Sequence, residues 1–274
     1  MASWDKLTSR GNVEDRRGFG PAAGGVGIVG VVAYLLFTFL SGGNVDVGTV
    51  LQGIENSQVA QVENYNAEDF AGADSYEVFT STVLGSTNDM WSSIFSQNNL
   101  TYTPPHLVLF RGSTNSSCGG AVSYVGPHYC PEDNTIYLDE TFFNELTGKL
   151  GAEGGDVAEA YVIAHEVGHH AQHELGIMDQ IDQTSNEDSV KLELQADCFA
   201  GLWLHSIKDL GVYEPAEINE AVDAARSVGD DRIQQATSGQ INPEQWTHGS
   251  SAERVAWLNR GYSSGSIASC DTFN

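Results

Sequence analysis

Lysine is scarce in this chain of 274 residues: after Arg17 only Lys149, Lys191 and Lys208 occur. Twelve basic residues stand against 37 acidic ones, for a formal net charge of −25. A surface of that sign repels DNA, RNA and anionic membrane surfaces, so nucleic-acid binding is excluded. It suits a salt-rich habitat or an ordinary acidic secreted domain. Any Cys-x-x-Cys pair is also missing, which argues against a zinc site built from cysteines. Neither an internal repeat nor an extended low-complexity tract is visible. The length allows one large domain or two small ones, and 41% hydrophobic residues suffice for a sizeable core.

Charge is absent again from Gly24 to Leu40, where the residues are mostly apolar. As a helix this stretch would span about 26 Å against a hydrocarbon core of about 30 Å, and Gly20 to Ala23 can lengthen it. Lys6, Arg10, Arg16 and Arg17 precede it, diluted by Asp5, Glu14 and Asp15. The positive-inside rule then predicts a cytoplasmic tail and an extracytoplasmic remainder. A cleaved signal peptide fits less well, because the tail is long and no Ala-x-Ala site follows Leu40. A buried core helix also fits less well, because the flanks are glycine-rich and the segment is apolar all round. The expected organisation is a tail over 1–23, a transmembrane anchor over 24–40, a juxtamembrane linker over 41–65 and the main domain over 66–274. The protein is expected in the cell membrane, crossing it once.

Four cysteines agree with an oxidising side of that membrane. Cys118 and Cys130 flank a hairpin-like segment, and closing that loop is worth about 2–4 kcal/mol. Cys198 is then left for Cys270, which would pin the C-terminal segment to the helix around residue 197. A structural metal or free core thiols are the alternatives, and sequence alone leaves the connectivity open.

The most specific signal is His165-Glu166-Val167-Gly168-His169. On a helix, His165 and His169 lie one turn apart on one face and can grip a single zinc ion. Glu166 beside them can take a proton from a zinc-bound water, whose pKa falls to about 7. Two satisfied histidines on a packed helix are the bland alternative. The surroundings favour the metal: an apolar run from Ala158 to Ala164 predicts a helix over about 156–175, with Asp156 and Glu159 as a capping box and Gly176 as its stop. His170 points away from the face of His165. His173 continues the row but reads as a surface residue. Gln172 and Leu175 stand where the metzincin pattern needs glycine and histidine, so that class is rejected.

A catalytic zinc usually has three protein ligands and one open position. Glu193 is the candidate third ligand, on a second helix that Ser185 starts and Gly211 ends. Asp197, one turn on, can accept a hydrogen bond from the distal nitrogen of a liganding histidine. A solvated acidic face is the competing reading, but Leu192, Leu194, Phe199, Leu202 and Trp203 make this helix apolar and therefore buried. Buried carboxylates need a partner or a metal.

Coarser patterns complete the picture. Helix is expected over 69–97, broken or kinked near Gly85, over 141–146, over 215–228, and from a Ser250/Glu253 capping box to about Gly261. Strands are expected over 106–111, 121–125 and 135–138. A small N-terminal sheet ahead of a helical half is an α+β domain.

With these residues in hand the chain resembles the bacterial putative neutral zinc metallopeptidase family. The resemblance rests on His165-Glu-Val-Gly-His-His170, Leu192-Glu-Leu-Gln-Ala-Asp-Cys-Phe-Ala-Gly201, Trp246-Thr-His-Gly-Ser-Ser251, Cys118-Gly-Gly-Ala121 and Gly126-Pro-His-Tyr-Cys-Pro131, and runs nearly the whole length. It implies a zincin-like, gluzincin-type peptidase that acts on a peptide or protein substrate. One Zn2+ would be held by His165, His169 and Glu193, with Glu166 as base. It names no substrate. By the same resemblance Gly119 to Tyr124 is a candidate sheet-edge strand for an extended peptide. His248 is the candidate oxyanion donor, with Tyr161, Tyr213 and Tyr262 behind it. The rival class is a binding or scaffold protein of the cell envelope that keeps zinc without turnover; such a protein would be expected to lose Glu166. A purely structural zinc domain would need a fourth protein ligand, from His170 or His173.

Overall fold

A computed structural model of the chain describes residues 1–17, 74–122, 126–182 and 184–273. Among them β1 is Val13–Asp15, and α1 is Ser75–Gln97. Then come β2 His106–Phe110, β3 Ser113–Ser116, β4 Gly119–Val122, β5 His128–Cys130 and β6 Thr135–Asp139. The helical half holds α2 Phe142–Gly148, α3 Asp156–Glu174, α4 Asn186–Ile207, α5 Ile218–Ser227, α6 Asp230–Thr237 and α7 Ser251–Ser264. The architecture is α+β, as the order of patterns predicts.

The main sheet runs β1-β2-β6-β5; β1, β2 and β6 are parallel and β5 is antiparallel at one edge. Strands covered on both faces read as unbroken apolar runs, which explains Leu107 to Phe110. Leu107, Leu109, Ile136 and Leu138 face the helices, while Val108, Phe110, Tyr137 and Cys130 form a second small cluster with Ala121 of β4. β3 and β4 pair only with each other among the described residues. The expected strand at 121–125 therefore starts earlier and belongs to a separate hairpin, and residues 123–125 lie outside the described residues.

α3 packs on α1, α4 and α5, and its buried residues surround it almost completely. Its expected capping box does not form. Gly155 is the N-cap, and the Asp156 carboxylate instead accepts from the Ala2 amide and the Trp4 indole, at 2.8 and 2.9 Å. The helix start at Ser185 and the capping box at Ser250 behave as expected: each hydroxyl accepts the amide three residues on, and Glu253 returns the bond at Ser250. α1 runs unbroken through Gly85. The glycine serves close approach, since a Cβ there would lie 2.6 Å from the Arg10 backbone nitrogen.

That contact exposes the largest departure from expectation. Residues 1–17, predicted as a detached cytoplasmic tail, are part of the fold. Trp4 stacks on Trp203 and meets the edge of Phe79. Leu7 and Val13 are buried, and Val13 to Asp15 form the first strand of the sheet. Arg17 is buried against Asp15, Asp74 and Glu140. The physical reason is that Trp4, Leu7 and Val13 carry apolar surface that a detached tail would leave in water. A single membrane crossing between residues 17 and 74 would separate β1 from its hydrogen-bonded partner β2. Residues 1–17 and the domain therefore share one side of any membrane. No helix among the described residues is long and apolar enough to cross a bilayer, and the candidate anchor at 24–40 lies outside the described residues.

Both expected disulfides form. Cys118–Cys130 joins the β3–β4 hairpin to β5, and Cys198–Cys270 ties the C-terminal segment to α4. Shared sidedness is testable: an impermeant maleimide added to intact cells should label Asp5→Cys and Ser238→Cys together or not at all. Labelling of one position alone would overturn the integration of residues 1–17.

Candidate metal centre

The residues singled out at 165–169 and 193–197 meet because α3 and α4 pack closely. Gly168 lies on the contact face, where a Cβ would stand 3.1 Å from the Cα of Ala196. The closeness brings His165, His169 and Glu193 together, with one donor atom from each inside a 4.8 Å span. His165 Nε2 lies 3.2 Å from one Glu193 oxygen and His169 Nε2 lies 3.3 Å from the other. The two imidazoles stand at 90° to each other with centroids 4.8 Å apart.

The opposite edge of each ring is also engaged. His165 Nδ1 sits 2.9 Å from Asp197 Oδ1, and His169 Nδ1 sits 2.9 Å from Gln172 Oε1. Both partners are acceptors, so each Nδ1 carries the hydrogen. A neutral imidazole has only that one hydrogen. Each Nε2 lone pair therefore faces a carboxylate oxygen, which is repulsive unless a proton or a cation lies between them. Burial opposes charge on His165, but Asp197 and Glu193 raise its imidazole to about 10. A divalent cation meets the same need with one positive centre for all three groups. Two imidazole nitrogens and one carboxylate form a donor set that zinc accepts. The residues present thus fit the metal that the motif predicts.

Asp197 is fully buried and accepts four hydrogen bonds. Beside His165 its donors are the Tyr161 hydroxyl at 2.5 Å and Arg254 at 2.8 and 3.0 Å. Against the penalty of burial, the Arg254 guanidinium holds the Asp197 carboxyl below its ordinary range. Glu193 is likewise held well below its ordinary range, with burial opposing and His169 and His165 prevailing. Arg254 also donates to the Val228 carbonyl and lies 3.8 Å from Glu193. It comes from the first turns of α7, four residues after the N-cap Ser250, and no motif in the sequence marked it. Its signal was weak but present: an arginine in an otherwise acidic chain, on the buried face of a capped helix.

His248 lies in the loop before α7, half exposed, with Nδ1 3.2 Å from Asp230 Oδ1. Asp230, which sequence reasoning also missed, accepts the amides of Thr247, His248 and Gly249 and so shapes that loop. Its carboxylate raises the His248 pKa; burial opposes this and Glu193 adds to it. Tyr161 and Tyr213 are committed elsewhere, to Asp197 and to the Leu204 carbonyl, and Tyr262 packs on His205. His170 is buried between the Thr103 carbonyl and Tyr129, and His173 bonds to Tyr129 rather than standing free at the surface. Neither joins the cluster of His165, His169 and Glu193. The described part of the candidate substrate strand, β4 at Gly119–Val122, pairs with β3 and not with the main sheet among the described residues. The main sheet's edge beside α3 is β5, whose Tyr129 holds His170 and His173.

A family model described as "Putative neutral zinc metallopeptidase" matches residues 2–273. The chain is 40% identical over 285 residues to Uncharacterized protein YpfJ of Escherichia coli strain K12, covering 98% of both chains. It is 46% identical over 186 residues to Uncharacterized protein Rv2575 of Mycobacterium tuberculosis strain H37Rv, covering 63% of this chain and 64% of that one. No solved structure matches.

Replacing Arg254 by Met should leave Asp197 buried without its counter-charge and cost about 3–5 kcal/mol in urea unfolding. A loss below about 1 kcal/mol would mean that Asp197 does not depend on Arg254.

Proposed function

The chain belongs to the putative neutral zinc metallopeptidase family, and we propose that it hydrolyses peptide bonds at the centre formed by His165, Glu166, His169 and Glu193. The observation that carries this reading is the pair of imidazole Nε2 atoms converging on the Glu193 carboxylate with both Nδ1 atoms already spoken for. Zinc held there supplies Lewis-acid polarisation of the scissile carbonyl and makes water a nucleophile near neutral pH.

The remaining work falls to side chains. Glu166, next to His165 and nearly buried, accepts a proton from the attacking water and returns it to the leaving amine. Asp197 and Gln172 keep both histidines in the Nδ1–H form, so the nitrogens that face Glu193 stay available. His248, whose protonated form the Asp230 carboxylate favours, donates to the oxygen that becomes negative as the carbonyl is attacked. The edge of β5 offers backbone groups along which an extended peptide can lie. A zinc-keeping scaffold is disfavoured by the retention of Glu166. The disulfides support an oxidising compartment. We place the domain, together with residues 1–17, on the oxidising side of the membrane.

Glu166→Gln should bind zinc stoichiometrically and cleave a peptide library at least a hundredfold more slowly than wild type; comparable cleavage would remove Glu166 as base. In the same assay Glu193→Ala should lose zinc, and full occupancy would require another ligand.

The pH profile tests His248. Its charge is present below its raised pKa and lost as pH climbs through it, so activity should fall on the alkaline side. Asp230→Asn removes the main cause of the rise, so that limb should move to lower pH with zinc content unchanged. An unmoved limb would free His248 from the proposed role.

A further inference from the structure

His169 is oriented by a different kind of partner from His165. Its Nδ1 donates to Gln172 Oε1 at 2.9 Å, and Gln172 is completely buried. The Gln172 amide nitrogen in turn donates to the Leu192 carbonyl at 2.7 Å and to Gln195 Oε1 at 3.1 Å. Gln195, also buried, passes its own amide hydrogen to the Cys270 carbonyl at 3.0 Å. Every link has a fixed sense, because each amide gives from nitrogen and receives at oxygen. The chain of bonds starts at a candidate ligand and ends outside the two helices that build the site.

Its far end is anchored. Cys270 is bonded to Cys198 of α4, and Thr272 donates to the Lys191 carbonyl at 2.8 Å. Lys191 and Leu192 immediately precede Glu193. Gln172 therefore grips the backbone beside one ligand while orienting another, and the C-terminal segment grips the same stretch from the opposite end. Without the Cys270 carbonyl, the Gln195 amide would be a buried donor with no partner, and its oxygen would no longer be held towards Gln172.

We propose that the C-terminal segment 267–273 is a positioning element of the metal centre, acting on His169 through Gln195 and Gln172 and held in place by the Cys198–Cys270 disulfide. The proposal rests on the metal reading above and adds to it. It assigns a task to two glutamines and one of the two disulfides: setting zinc affinity. The other disulfide, Cys118–Cys130, lies at the far face of the sheet and has no part in the chain of bonds.

The test uses the protein carrying Gln172→Met or Gln195→Met, which keep side-chain length and remove both polar ends. Zinc affinity is measured by chelator competition, and the tautomer of His169 by nitrogen NMR of the metal-free protein. Near-UV circular dichroism checks that each variant is folded. Both variants should bind zinc about tenfold or more weakly, and both should lose the uniform Nδ1–H signature of His169. Cys118→Ser with Cys130→Ser should change neither. Wild-type affinity and an unchanged imidazole spectrum in folded Gln195→Met would overturn the proposal, as would an equal loss in the Cys118/Cys130 variant. If wild type itself bound no zinc, the metal reading would fall, and the imidazole spectrum alone would still decide whether the bond chain governs His169.

Discussion

A carboxylate sealed from water cannot stay ionised unless its surroundings answer its charge, and Asp197 is such a group. It receives His165, Tyr161 and two nitrogens of Arg254, drawing on α3, α4 and α7 at once. Three helices are thereby fixed around a single side chain. Their arrangement follows from that requirement: α3 must present His165 inward, α7 must begin where Arg254 can reach, and α4 must lie between them. Glu193 shares the face of Asp197 and is carried into position by the same packing. The proposed ligand geometry is in this sense a by-product of a buried ionic cluster.

Two histidines of the same motif are held by opposite means. Asp197 offers His165 a negative charge, which favours the imidazolium and strengthens the ring as a donor to metal. Gln172 offers His169 a neutral oxygen, which sets orientation without adding charge. A second buried carboxylate there would have needed a second buried cation, and the chain has only 12 basic residues in all. The division keeps the number of charges inside the domain small.

Much of this was legible in the residues. The helix bearing 165–169 and the one bearing 193–197 follow from apolar patterning, caps and terminal glycines, and their boundaries agree to within a few positions. The disulfide pairing suggested by the hairpin-like segment at 118–130 is the one found, although the cysteine count alone left three connectivities open. What escaped shares one physical character: it depends on partners distant in sequence. Asp156 resembles a helix cap until Trp4 and Ala2 take its carboxylate. Gly85 resembles a break until the Arg10 backbone is found against it. Arg254 and Asp230 lie in no motif, and their meaning appears only when α7 and the loop at 247–249 are in place. Three-residue strands such as β1 and β5 carry too little periodic signal to be recognised alone. A basic N-terminal stretch ahead of an apolar segment obeys a topological rule that ignores whether the stretch has a tertiary partner.

The placement of β1 has a consequence for how the chain is made. Val13 pairs with Leu107, so among the described residues this strand gains its sheet neighbour only after more than ninety further residues have been added. At ordinary translation speeds that delay is about 5–20 s. During it Trp4, Leu7 and Val13 present unsatisfied apolar surface, and the sheet cannot close until β2 arrives. The opening residues are thus among the last to find their native setting, and a holding chaperone or a fast-forming α1 would determine how safely they wait.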